Sequence, residues 1–96
     1  MTIRVVFAAG ATADVDDIAR FGTERFGARG RTYVVELRAA CKRLTDFPNI
    51  APDFPGTRKP TRCLTHRSHR IFYRVEPDRI LIVRILHHAR AAPTGL

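Results

Sequence analysis

The hydrophobic pattern changes period twice along this chain, from a strand-like run to a helical stripe and back to alternation. Ile3 to Ala8 is short, mostly β-branched and aromatic, and reads as a strand. Gly10 marks the break after it. Thr12 or Asp14 can cap the helix that follows, with Asp14, Asp16 and Asp17 near the positive end of its dipole. Val15, Ile18, Ala19, Gly22 and Phe26 fall on one helical stripe. Gly22 is expected to let a neighbouring backbone approach closely, and Gly27 to end the helix. A second helix is predicted from about Arg29 to Asp46, with Tyr33, Leu37, Ala40, Cys41, Leu44 and Phe47 as its apolar stripe and Arg31, Glu36, Arg38, Lys42 and Arg43 facing out. The two helices form an αα-hairpin about a glycine corner.

Pro48, Pro52, Pro55 and Pro60 then punctuate a stretch without periodicity. Proline withholds an N–H and fixes φ, so this is a stiff crossing rather than an element. A strand follows from about Thr61 to Thr65. The stretch His66 to Arg90 is the most informative of the chain. Arg70-Ile71-Phe72-Tyr73-Arg74-Val75 alternates, Glu76-Pro77-Asp78-Arg79 interrupts, and an aliphatic run broken by Arg84 ends in His87-His88. Two such runs about a Pro-Asp turn predict an antiparallel hairpin. Alternation puts Arg70, Phe72 and Arg74 on one face and Ile71, Tyr73 and Val75 on the other. The expected fold class is α+β, in the order β-α-α-β-β-β, with the helical hairpin covering one face of a small antiparallel-rich sheet. Residues 1–96 are expected to form one domain, with 89–96 a flexible tail.

Ninety-six residues can bury roughly 60–65% of their unfolded surface, enough for one two-layer core and little room for an enclosed active site. Seventeen Lys+Arg against nine Asp+Glu give a charge of +8, and all but Lys42 and Lys59 are arginines. Arginine forks match carboxylates and phosphates, so an acidic or polyanionic partner is implied, beside the plainer reading of a solvated arginine-rich surface. Residues 1–9 are too short for a signal segment, and no apolar run reaches the ~18–20 residues that span a bilayer; a cytoplasmic protein without membrane contact is expected. Cys41 and Cys63 lack metal-ligand spacing and are expected as buried free thiols. His66-x-x-His69 and His87-His88 have no carboxylate or cysteine at a helpful spacing, so neither metal nor cofactor is expected.

The element order, DVDDIARF in the first helix, LTDFPNIAPDF after the second and, above all, HRSHRIFYRVEPDRILIVRILHHAR resemble the RelE/ParE superfamily of toxins from type II toxin–antitoxin modules. The likeness spans roughly residues 4 to 90 and is closest to the ParE branch, in the F-P segment after the second helix and the L-H-x-x-R close. The resemblance implies one of two functions. ParE-like members bind and inhibit DNA gyrase, arresting it with DNA cleaved. RelE-like members are ribosome-dependent mRNA endonucleases. Both are neutralised by a cognate antitoxin, here ParD-like or related, whose acidic C-terminal segment wraps the toxin in a hetero-oligomer.

Under the ParE-like reading there is no catalytic residue, and Arg70, Arg74, Arg84, His87 and Arg90 are the expected target-binding surface. Under the RelE-like alternative a metal-independent ribonuclease needs a base, an acid and a cation; Arg70 falls where that branch holds phosphate, and His87 or His88 near its catalytic C-terminal residues. The tail AAPTGL offers no aromatic to stack on a base, which favours the binding reading. The competing structural reading pairs Arg74 and Arg84 with Glu76, Asp78 or Glu36. One residue more or less in the Glu76–Arg79 turn moves Arg84 to the other face relative to Arg74, and both registers are open. Tyr33, Phe26 and Phe47 are expected in the core.

Overall fold

The computed structural model describes residues 3–93, 95 and 96. Its elements are β1 (Arg4–Phe7), α1 (Ala9–Phe26), α2 (Ala28–Arg43), β2 (Arg62–His66), β3 (His69–Val75) and β4 (Arg79–His87). This is the expected order. The four strands form one mixed sheet in the order β1-β4-β3-β2, with β1 parallel to β4 and the other pairs antiparallel. A parallel β1–β4 pair requires a long crossover, and everything between them, the helical hairpin included, supplies it. No helix among the described residues is long and apolar enough to cross a membrane.

Helix α1 begins sooner than the capping residues suggest. Ala8 still donates its N–H to Ile82 O at 2.9 Å, and the helix starts at Ala9 with no side-chain cap. Thr12 and Asp14, expected as caps, are therefore interior. Gly10, expected as the break, lies in the first turn, where a Cβ would sit 2.9 Å from Arg84 Cδ. Gly27 does end the helix: its φ is +58° and its N–H bonds Thr23 O at 2.9 Å. The hairpin crosses at Gly22 and Gly30, where a Cβ built on Gly30 would lie 2.2 Å from the Gly22 carbonyl carbon. The expected close approach at Gly22 is thus backbone against backbone.

The core lies between helices and sheet. Leu37, Ala40, Cys41 and Leu44 of the second stripe are buried with Ala11, Val15, Ile71, Tyr73, Ile80, Ile82 and Ile85. Phe26 and Phe47 are not core as expected: they are 58% and 60% exposed. Phe26 is the last residue of α1 and overhangs the corner, and α2 stops at Arg43, so the helical phase no longer governs Phe47. Tyr33 is half-buried against the main cluster. Both cysteines are free; Cys41 is buried, and desolvation pushes its thiol up to about 12.

The opposite face of the sheet is not simply basic. Phe72, Leu86 and Leu96 form a second small cluster, flanked by Phe54, Cys63, Val83 and Ala92. The proline segment supplies Phe54, which meets Phe72 edge-on at 5.1 Å. That segment also takes part of the β2 edge, because Phe54 N–H bonds Thr61 O at 2.8 Å and Cys63 N–H bonds Pro52 O at 3.2 Å.

Candidate functional site

Turn length decides the side of Arg84. Glu76 N–H bonds Arg79 O at 2.9 Å, and the register Val75–Ile80, Arg74–Leu81, Tyr73–Ile82 follows from it. Regular alternation then sends Arg74 to the outer face and Arg84 to the helix face. A bulge comes next: Phe72 lies opposite Arg84 while Tyr73 lies opposite Ile82. It inverts the parity of all that follows, so Ile85 joins Arg84 on the helix side, Leu86 turns outward and His87 comes back in beside His69.

The bulge leaves groups that α1 satisfies. Asp14 is 8% exposed on the helix side facing β4. Its carboxylate accepts from Arg84 Nε at 2.7 Å, Arg84 Nη2 at 3.0 Å and the Ile85 N–H at 2.9 Å. This forked pair holds the guanidinium charged, the bond to Asp14 raising its pKa. Arg84 therefore bonds none of Glu76, Asp78 or Glu36; Glu76 pairs with Arg79 and Glu36 with Arg67.

At the far end of the same face lies a histidine cluster. Tyr33 Oη is 2.6 Å from His69 Nδ1 and 3.4 Å from His66 O. Burial, followed by repulsion from His87, His66 and His88, pushes His69 down to about 4. It is neutral at pH 7, and its Nδ1 shares one hydrogen bond with the tyrosine hydroxyl. Burial also lowers His66 and raises Tyr33. The His87 ring meets His69 edge-on at 5.5 Å and stacks on His88 at 4.4 Å; both are exposed. Among the described residues no group of three or more His, Cys, Asp or Glu is arranged to hold a metal.

Between these two features runs an open cleft of about 750 Å³. Its lining includes the apolar Ile18, Phe21 and Phe26 of α1, the two glycines of the hairpin crossing, the acids Asp14 and Asp17, and the basic Arg29, His87 and Arg90. Phe21 is 56% exposed, and with Phe26 it forms a rim of aromatic surface that the fold leaves uncovered.

The predicted site residues are thus divided. Arg70 is on the outer face, its guanidinium 5.3 Å from the Phe72 ring and its Nη2 donating to Arg90 O at 2.7 Å. Arg74, also outer, donates weakly to Thr61 Oγ1 at 3.4 Å. Arg84 and His87 face the helices, and Arg90 is exposed beyond β4. Arg70 and Arg90 are brought together, and His87 with His88; Arg70 and His87 are on opposite sides. Sequence reasoning misses Asp14, Phe21 and the Tyr33–His69 bond. An acid at Asp14, three residues after Ala11 and four before Ile18, on the apolar side of α1, was the one available signal.

A model of the family described as the ParE toxin of the type II toxin–antitoxin system parDE matches residues 5–92. Curated proteins gave no match. Among solved structures, one described as a chromosomal ParDE toxin–antitoxin system from P. aeruginosa is 23% identical, covers 90% of this chain and 96% of its own, and superposes with a TM-score of 0.75. At that identity the likeness speaks for a shared fold.

Proposed function

This chain belongs to the ParE toxin family of type II toxin–antitoxin systems, and we propose that it inhibits DNA gyrase by binding rather than by cutting nucleic acid. The match of the family over residues 5–92 carries this reading. Residues 1–96 act as one toxin domain, in the cytoplasm where gyrase works. The geometry supports binding over RNA cleavage. A ribonuclease built on Arg70 and His87 needs both at one phosphate, and here they are on opposite faces of the sheet. The least exposed histidine of the cluster, His69, is neutral and occupied by Tyr33.

The target-binding surface we assign is Arg70, Arg74 and Arg90, with His87 and its stacked neighbour at the rim. Arg84 supports it from within, through Asp14. A cognate antitoxin occupies the cleft. The apolar rim at Phe21 and Phe26 and the +8 charge suit an acidic amphipathic segment that orders on binding, giving a toxin–antitoxin hetero-oligomer.

The test is a supercoiling assay with antitoxin-free protein, run beside a ribosome-programmed mRNA cleavage reaction. Loss of supercoiling, cleaved DNA and intact mRNA are expected. Cut mRNA with normal gyrase would instead make Arg70, His87 and His88 catalytic and the protein RelE-like in action.

A further inference from the structure

The outer face of the sheet carries a row of cations, two of which, Arg70 and Arg74, belong to the target surface proposed above. Arg4 on β1 is in register with Arg79 on β4, so both project from the same face, about 4.8 Å apart at the backbone. Arg74 on β3 lies opposite Leu81, which makes it the diagonal neighbour of Arg79 at about 7–8 Å. Arg70 lies four residues along β3, past the covered Phe72, with its Nε buried and its Nη2 on Arg90 O, so it is the least free of the four. Of these four only Arg79 has a carboxylate partner among the described residues, Glu76. Arg4 is exposed, and no Asp or Glu lies on any of the four strands.

Two further observations point to the kind of ligand. Among the described residues the large exposed hydrophobic ones are Phe21, Phe26, Val35, Phe47, Ile50 and Val75, and none projects from the outer face of a strand. Protein partners are normally gripped by such anchors, so within a gyrase–DNA target Arg70 and Arg74 meet the DNA rather than the protein. Phe72, the aromatic within the row, is fully buried and offers no platform for an unstacked base. What remains is an array of guanidinium forks on a twisted surface, which suits phosphates carried on a stiff backbone and reads no sequence.

We propose that Arg4, Arg79, Arg74 and Arg70 form a phosphate-contacting surface for duplex DNA. The proposal rests on the gyrase reading, since gyrase presents a DNA duplex beside any protein bound to it. The cleft and the arginine row lie on opposite faces, so antitoxin binding and DNA contact use different residues.

The experiment is fluorescence anisotropy of the antitoxin-free protein with two unrelated duplexes of about 20 bp and with single-stranded RNA, without gyrase, across salt from about 50 to 200 mM. Both duplexes should bind alike, with log K falling against log salt at a slope of about −3, as three to four phosphate contacts require. Arg4→Gln/Arg74→Gln should weaken binding about tenfold and reduce the slope by about two, with an unchanged thermal melt. Arg4→Gln alone, at an exposed site, should weaken it by about threefold and serves if the double variant fails to fold. Phe21→Ser/Phe26→Ser should bind DNA as the parent does. No duplex binding at the lowest salt, unchanged binding by the folded arginine variants, or a preference for the RNA strand would overturn the proposal. Gyrase inhibition without DNA binding would overturn the assignment of these arginines to DNA and leave the proposed function, with Arg70 and Arg74 on gyrase itself, standing. DNA binding without gyrase inhibition would do the reverse.

Discussion

The two faces of the sheet hold arginines for different purposes, and the difference lies in their partners. On the helix side Arg84 is locked to a nearly buried carboxylate that also satisfies a backbone N–H. On the outer side, among the described residues, Arg4 and Arg74 have no carboxylate partner, and Arg70 bonds a backbone carbonyl. A charge with a buried partner holds the fold together; a charge without one is available to something outside it. Likewise, the helix side pushes His69 toward neutrality, whereas on the outer side Arg4 is exposed and Arg74 and Arg79 are half-buried.

The sharpest break in this contrast is at the hairpin crossing that frames the cleft. Gly30→Ala forces a methyl into the Gly22 backbone and should cost about 3 kcal/mol in urea unfolding, near the upper end for overpacking, because backbone cannot step aside. Asp14→Ala orphans the Arg84 guanidinium and the Ile85 N–H together and should cost about 2–3 kcal/mol. Arg4→Gln on the outer face should stay within about 0.5 kcal/mol. Equal losses at Asp14 and Arg4 would erase the distinction between the faces.

Acid tests the histidine end. The folded pKa of His69 is about 4, below its ordinary 6.5, so the unfolded chain binds the extra proton first. The stability this ring contributes is complete above pH 6.5 and is lost as pH falls toward 4. His69→Gln should flatten urea midpoints across that window, and a parent profile already flat there would contradict the assignment. The smallest effect on stability belongs to Phe21→Ser/Phe26→Ser, within about 0.5 kcal/mol since both rings are more than half exposed. The same change should weaken antitoxin binding about tenfold or more in calorimetry, as expected for anchor aromatics.

Much of this was legible because it is local. Alternation in Arg70–Val75, the stripe from Leu37 to Leu44 and the glycine at Gly27 each follow from the geometry of a strand, a helix or a positive φ, which neighbouring residues set among themselves. The ending HRIFYRV…RILIVRILHHAR likewise carried the family resemblance in a contiguous stretch. Tertiary structure decided the rest. Asp14 reads as a cap until β4, seventy residues on, brings Arg84 to it. Phe26 and Phe47 read as core until the helices end beneath them. The side on which His87 emerges depends on one bulge opposite Phe72, and a bulge depends on what the partner strand and the covering helix can satisfy. Sequence by itself determined the elements and their order, since backbone sterics and side-chain period act over a few residues. Which charges are spent inside and which are left for a partner was settled only when distant segments met.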